Sequence, residues 1–168
     1  WCANIIEYFD DATLNRVLEE FIRVTRPGGR VAVKDWDGGL FRFQPGHPKF
    51  FWHLFEAAER QQVAFARNVH GFFRLSRLDQ IFREVGFEQT RLVSRLLDHR
   101  APLTAAQHRW CTQALHMFFE VSAQLDLPDE DRAFWRQFED PAAEDHPARR
   151  DGFVFGEANT MAVGTVPG

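Results

Sequence analysis

Apolar residues at Leu14, Val17, Leu18, Phe21 and Ile22 recur at steps of three, one, three and one, and Glu19, Glu20 and Arg23 take the other positions. That stripe predicts an amphipathic helix. Asp10 and Asp11 stand before it. Short acidic side chains there accept orphan N–H groups and suit the positive end of a helix. Pro27-Gly28-Gly29 ends the helix, because proline cannot continue it and glycine permits the turn. Arg30 to Asp35 (RVAVKD) carries β-branched Val31 and Val33 and predicts a strand. The short apolar run Trp1 to Ile6 reads as the end of a strand that begins upstream.

Loop chemistry follows at Trp36-Asp37-Gly38-Gly39 and again at Gln44 to Pro48. A helix is expected from about Pro48 to Ala66, with proline in its first turn. Ser76 is the expected cap of another helix, with Leu78, Ile81, Phe82 and Val85 on one face and Gly86 at its stop. Phe87 to Leu97 predicts a strand. Thr104 caps a long helix whose apolar face holds Trp110, Ala114, Leu115, Phe118 and Val121. Residues 129–138 predict a weaker helix, Glu139 to Asp151 a loop, and Phe153 to Val166 a last strand broken by Gly156 and Gly164. Strands alternating with helices predict an α/β layered sheet.

Composition narrows the classes. Mean hydropathy is −0.37 and 26% of residues are charged, so no stretch approaches the ~20 apolar residues of a spanning helix. No membrane association is expected. The formal net charge of −4 gives no polyanion footprint, and no nucleic-acid partner is expected. Lys34 and Lys49 are the only lysines, and the arginines are scattered rather than clustered. Cys2 and Cys111 cannot make a disulfide framework, which fits a cytoplasmic protein. His108, Cys111 and His116 invite a metal reading, but His116 lies off the face shared by the other two, so no metal is expected.

One segment is specific. The run NIIEYFDDATLNRVLEEFIRVTRPGGRVAVKDWD, Asn4 to Asp37, resembles the class I S-adenosylmethionine-dependent methyltransferases, especially the small-molecule enzymes of the type 11 kind. Arg23 to Arg30 resembles the turn that feeds the family's fifth strand, and Val31 to Asp35 resembles that strand with its acidic end. Val85-Gly86-Phe87 resembles the step that introduces the sixth strand. The last strand would then be the antiparallel seventh, in a hairpin with the sixth. The resemblance implies a Rossmann-like class I methyltransferase sheet, from the end of strand 4 through strand 7. Residues 98–152 would be a helical insertion or cap.

The family grips its cofactor with a Gly-x-Gly-x-Gly loop, and no two glycines here are spaced by two. Residues 1–168 are therefore expected to be the C-terminal part of one methyltransferase domain, inactive and weak in cofactor binding by itself. The resemblance implies S-adenosyl-L-methionine as cofactor and a small molecule as substrate. Cys2, Ala3, Asn4 and Tyr8, at the end of the fourth strand, would face the cofactor. Ligands in such sheets sit beyond the carboxyl ends of the strands. Asp37 would orient or deprotonate the nucleophile, Trp36 would wall the pocket, and His70 is a second candidate base. Residues 41–73 hold eight of the 18 phenylalanines; most fill a core, with Phe41 and Phe43 as pocket walls. Arg67 and Asn68 would reach a substrate oxygen.

Two other readings stay open. One is a non-catalytic, methyltransferase-like binding or interaction subunit. The other is a different enzyme on the same fold, such as an aminopropyltransferase, which would need a more acidic pocket than Asp35 and Asp37 supply. The helices within 98–152 would serve substrate selection or a homodimer contact.

Overall fold

The computed structural model describes residues 1–44, 46–61 and 74–168. The chain divides into two compact units. The first comprises 1–40, 68–96 and 157–168; the second comprises 41–67 and 97–156.

In the first unit, strand β1 (Cys2–Ala3) leads into a 3-10 turn at Ile6–Tyr8 and then helix α1 (Asp11–Val24). The Asp10 side chain caps α1 by accepting the Thr13 N–H at 2.6 Å, as its position predicts. Leu14 and Leu18 bury the apolar stripe. The Pro-Gly-Gly turn closes as expected. Gly28 adopts φ 72°, its N–H donates to the Val166 carbonyl at 2.9 Å, and the Val166 N–H donates to the Gly29 carbonyl at 2.8 Å.

Strand β2 (Arg30–Trp36) follows, one residue longer than predicted. It runs parallel to β1, with Cys2 opposite Val33 and Ala3 opposite Lys34. On its other side it pairs antiparallel with β5 (Val154–Thr165), from Arg30 opposite Thr165 to Trp36 opposite Asn159. Strand β4 (Glu88–Arg100) pairs with β5. The α/β sheet and its antiparallel last strand are therefore present, with the last two strands neighbours. Val31, Val33 and Asp35 alternate onto one buried face of β2. That face belongs to a core of Leu14, Leu18, Val31, Val33, Leu78, Phe82 and Phe87.

Helix α3 (Leu78–Val85) corrects one expectation. Ser76 lies inside a 3-10 turn at Arg74–Arg77, and Arg77 takes the cap position without a side-chain bond. Leu75 and Leu78 are both fully buried, so tertiary packing sets this boundary rather than a capping hydroxyl. Gly86 ends α3 in the left-handed region at φ 112°, as its sequence position predicts.

In the second unit, β3 (Arg42–Gln44) pairs antiparallel with residues 154–156 of β5. Helix α2 (Lys49–Arg60) begins one residue after Pro48, and the remainder of the helix expected to Ala66 lies largely outside the described residues. Helix α4 (Ala105–Ser122) carries a full capping box, with Thr104 and Gln107 satisfying each other's backbone. Helix α5 (Asp129–Arg136) is shorter than expected. Aromatic rings fill this unit. Phe51 meets Phe118 and Trp135 edge-on, both at 5.1 Å, and Phe50 stacks on Phe134 at 3.8 Å. Trp110, expected on the buried face of α4, is 49% exposed, whereas its neighbour Cys111 is fully buried. One step along a helix turns a side chain by about 100°, and the smaller thiol takes the inward place.

Candidate functional site

The carboxyl ends of two parallel strands lie together in the first unit. β1 ends at Ala3 and β2 ends at Trp36, and Asp35 joins them. Its Oδ2 accepts the backbone N–H groups of Ile5, Ile6 and Glu7 at 3.0, 2.8 and 3.3 Å. Its Oδ1 accepts the Trp36 N–H at 2.8 Å. Asp35 is fully buried. Burying a carboxylate costs several kcal/mol, on the order of the charge-assisted bonds that compensate it. The segment following β1 is thus fastened to the end of β2.

Arg74 fastens the other end of the same segment. Its guanidinium donates to the carbonyls of Ile6 and Phe9 (2.6 Å to the latter) and to Asp11 Oδ1 at 2.9 Å. Its side chain is buried. The turn at Ile5–Phe9 therefore has its N–H groups held by an acid from β2 and its carbonyls held by a base from the turn before α3.

Glu7 adds a second buried carboxyl. It is 8% exposed, and its Oε2 has no hydrogen-bond partner among the described residues. Burial, then the hydrogen bond to Asp35 and that carboxylate's charge, push Glu7 up to about 8. Glu7 is therefore mostly neutral at pH 7. Burial first, then Asp35, also raises the Cys2 thiol, which stays protonated and is no nucleophile. Burial, followed by the Glu7 charge, raises Tyr8.

The residues expected at the cofactor end are placed together. Cys2 and Ala3 are half-buried in β1. Asn4 is exposed, adopts φ 55°, and its Oδ1 accepts Lys34 Nζ at 2.7 Å. Tyr8 is 61% exposed on the 3-10 turn.

Asp37 follows β2 and is buried. Its Oδ1 accepts the Gly39 N–H at 3.1 Å, and its Oδ2 accepts the Thr160 hydroxyl at 2.8 Å. Trp36, half-buried, alternates onto the face of β2 opposite Asp35. Glu7, Thr160 and Arg74 were not singled out from the sequence. The available signal was an acid inside the apolar run Ile5-Ile6-Glu7-Tyr8-Phe9.

Phe41 and Phe43 belong to the second unit. Phe43 packs among aromatic rings. It is buried edge-on against Phe134 at 5.7 Å and Phe138 at 5.5 Å. Phe41 is half-buried and stacks on Phe51 at 5.0 Å. Arg67, Asn68 and His70 lie outside the described residues. His108 faces His146 across 6.5 Å between ring centroids, and burial and His108 push His146 down to about 4. His116 contacts the Phe138 carbonyl instead. Among the described residues no group of three or more His, Cys, Asp or Glu is arranged to hold a metal, and no helix is long and apolar enough to cross a membrane.

No protein-family profile matches the sequence, and no curated protein matches it. Solved structures do. A phosphoethanolamine N-methyltransferase 2 of Haemonchus contortus, solved with phosphomonomethylethanolamine and S-adenosylhomocysteine, aligns over 99% of this chain and 32% of its own, at 12% identity and a TM-score of 0.41. The same enzyme with S-adenosyl-L-methionine gives 12% identity and a TM-score of 0.43. A Bacillus halodurans protein assigned as a methyltransferase covers 99% of this chain and 63% of its own, at 14% identity and a TM-score of 0.42. The chain spans about a third (32%) of the length of the Haemonchus enzyme.

Proposed function

We propose that this chain is the C-terminal part of an S-adenosyl-L-methionine-dependent methyltransferase acting on a small-molecule acceptor. One observation carries the reading. The segment that resembles the family's cofactor-facing turn is bound by Asp35 to the acidic end of the strand that resembles its fifth. Strand ends of this kind are where open α/β sheets bind ligands.

The cofactor is a cation at its sulfonium and its ammonium, and it fits this edge in charge. Glu7 is mostly protonated there at neutral pH, beside the Asp35 carboxylate, and Glu7 Oε2 is a buried polar atom with no hydrogen-bond partner among the described residues. Cys2, Ala3, Asn4 and Tyr8 would hold the cofactor's amino-acid end. When bound, the cofactor supplies an electrophilic methyl group for in-line displacement. The chain's own part is positioning and proton removal. Asp37 accepts the proton of the nucleophile, and Trp36 walls the substrate. Phe41, Arg67, Asn68 and His70 remain the proposed remainder of the substrate side. A cytoplasmic location and a homodimer contact through helices of 98–152 complete the proposal.

The absence of a Gly-x-Gly-x-Gly loop supports a second reading, a non-catalytic binding subunit. Calorimetry with S-adenosyl-L-methionine on the full-length protein separates the two. Methyl transfer predicts saturable binding that weakens in Asn4→Ala and Asp35→Asn. A full-length protein that binds no cofactor establishes the second reading instead.

A further inference from the structure

Asp37 is buried, yet a proton that it accepts must leave before the next turnover. Its Oδ2 is bonded to the hydroxyl of Thr160, a fully buried residue of β5. Thr160 has one hydroxyl proton, and the carboxylate takes it. The 2.7 Å contact between Thr160 Oγ1 and Ser94 Oγ must then run with Ser94 as donor and Thr160 as acceptor. Ser94 lies on β4 and is exposed. Asp37 just past β2, Thr160 on β5 and Ser94 on β4 thus make an unbroken chain from solvent to the buried carboxylate.

We infer that Ser94 and Thr160 form a hydroxyl relay that carries a proton from Asp37 to solvent. The inference rests on the reading of Asp37 as proton acceptor. The steps balance. The nucleophile's proton arrives on Asp37 Oδ2. The Thr160 and Ser94 hydroxyls turn so that Thr160 donates to Ser94 and Ser94 to water; the new O–H of Asp37 then donates to Thr160 Oγ1, Thr160 passes its own proton to Ser94 Oγ, and Ser94 releases one to water. One proton enters, one leaves, and each hydroxyl is neutral again. The transfer leaves Thr160 donating to Asp37 and Ser94 donating to Thr160, so the starting direction returns with no second rotation. Thr160 and Ser94 touch no reacting atom in this scheme and are positioning residues. Thr160 stands directly opposite Asp35 in the β2–β5 register, so the backbone of two paired strands holds the middle of the relay in place.

Hydroxyl exchange in the intact protein tests this without requiring turnover. NMR on threonine-labelled protein follows the Thr160 hydroxyl proton. The relay predicts exchange about 100-fold slower in Ser94→Ala than in wild type, the lower range of what a positioned proton carrier contributes. Ser94→Thr, which keeps a hydroxyl, restores the rate. In methyl transfer, Thr160→Val lowers kcat with KM unchanged and moves the pH profile, and Thr160→Ser restores both. Exchange unaffected by Ser94→Ala overturns the relay, and so does a Thr160→Val protein with wild-type kcat and pH profile. Ser94-dependent exchange in a protein that transfers no methyl group supports the relay and overturns the methyl-transfer reading.

Discussion

Glu7 meets Asp35 twice. Its backbone N–H donates to Asp35 Oδ2 at 3.3 Å, and its carboxyl hydrogen-bonds the same carboxylate, which raises Glu7 from an ordinary value of 4.5 to about 8. Between those values the folded chain holds a proton that the unfolded chain has released. The stability contributed by neutral Glu7 is therefore complete below about 4.5 and is lost as pH rises through about 8. Melting temperature should fall across that window. Glu7→Gln keeps a neutral side chain of the same shape, so its melting temperature should depend less on pH. A profile as steep in the variant as in wild type contradicts a neutral Glu7.

Arg74 holds the carbonyls of the turn that Asp35 holds by its N–H groups. Truncation in Arg74→Ala leaves the Ile6 carbonyl buried without its donor. We expect a loss of about 2–4 kcal/mol by denaturant unfolding, the range for breaking a buried charged hydrogen-bond network. Arg74→Lys should recover little of it, because one ammonium cannot reproduce the guanidinium's fork. Wild-type stability in Arg74→Ala would remove the clasp from the account.

Gly164 and Gly28 should both resist alanine, for different reasons. A Cβ on Gly164 would lie 2.8 Å from Phe82 Cδ1 and from Phe87 Cβ, so Gly164→Ala overpacks the core at a cost of about 1–3 kcal/mol. At Gly28 nothing lies within 4 Å, but φ is +72°, and alanine there costs about 1 kcal/mol in backbone conformation. Thermal unfolding of the two variants measures both. Smaller residues near Phe82 should rescue only Gly164→Ala.

Thr104→Ala removes the capping box of α4, in which the hydroxyl accepts the Gln107 N–H at 3.3 Å and the Gln107 amide oxygen accepts the Thr104 N–H at 3.0 Å. The expected cost is about 1 kcal/mol in denaturant unfolding. Thr104→Ser should lose much less. Equal losses in the two would mean that the hydroxyl does not cap the helix.

Local chemistry was readable from the sequence wherever the partners are neighbours in the chain. Asp10, Thr104, Gly86 and the Pro27–Gly29 turn act within a few residues, so their roles follow from residue type and position. β2 was legible from its β-branched residues, and Asp37 from its place after a strand. Ser76 misled, because burial of Leu75 and Leu78 outweighs a single cap. The clasp was not legible. Asp35 reaches Ile6 across 29 residues and Arg74 reaches Ile6 across 68, and no periodicity encodes contacts at that separation. Asp37 and Thr160 are 123 residues apart, so the relay depends wholly on the pairing of β2 with β5.

The central claim is that the acidic strand end in the first unit serves methyl transfer, with Asp37 as proton acceptor. Turnover of methyl-labelled S-adenosyl-L-methionine by the full-length protein, screened over small-molecule acceptors with nitrogen, oxygen, sulfur and carbon nucleophiles, tests it most directly. Asp37→Asn is the matched variant, since it keeps the shape of the side chain but replaces one accepting oxygen with an amide nitrogen that takes no proton. The account predicts transfer to at least one acceptor class and a kcat lowered about 100-fold or more in Asp37→Asn, the contribution expected of a positioned base. No transfer to any class, or a wild-type kcat in Asp37→Asn, would contradict it.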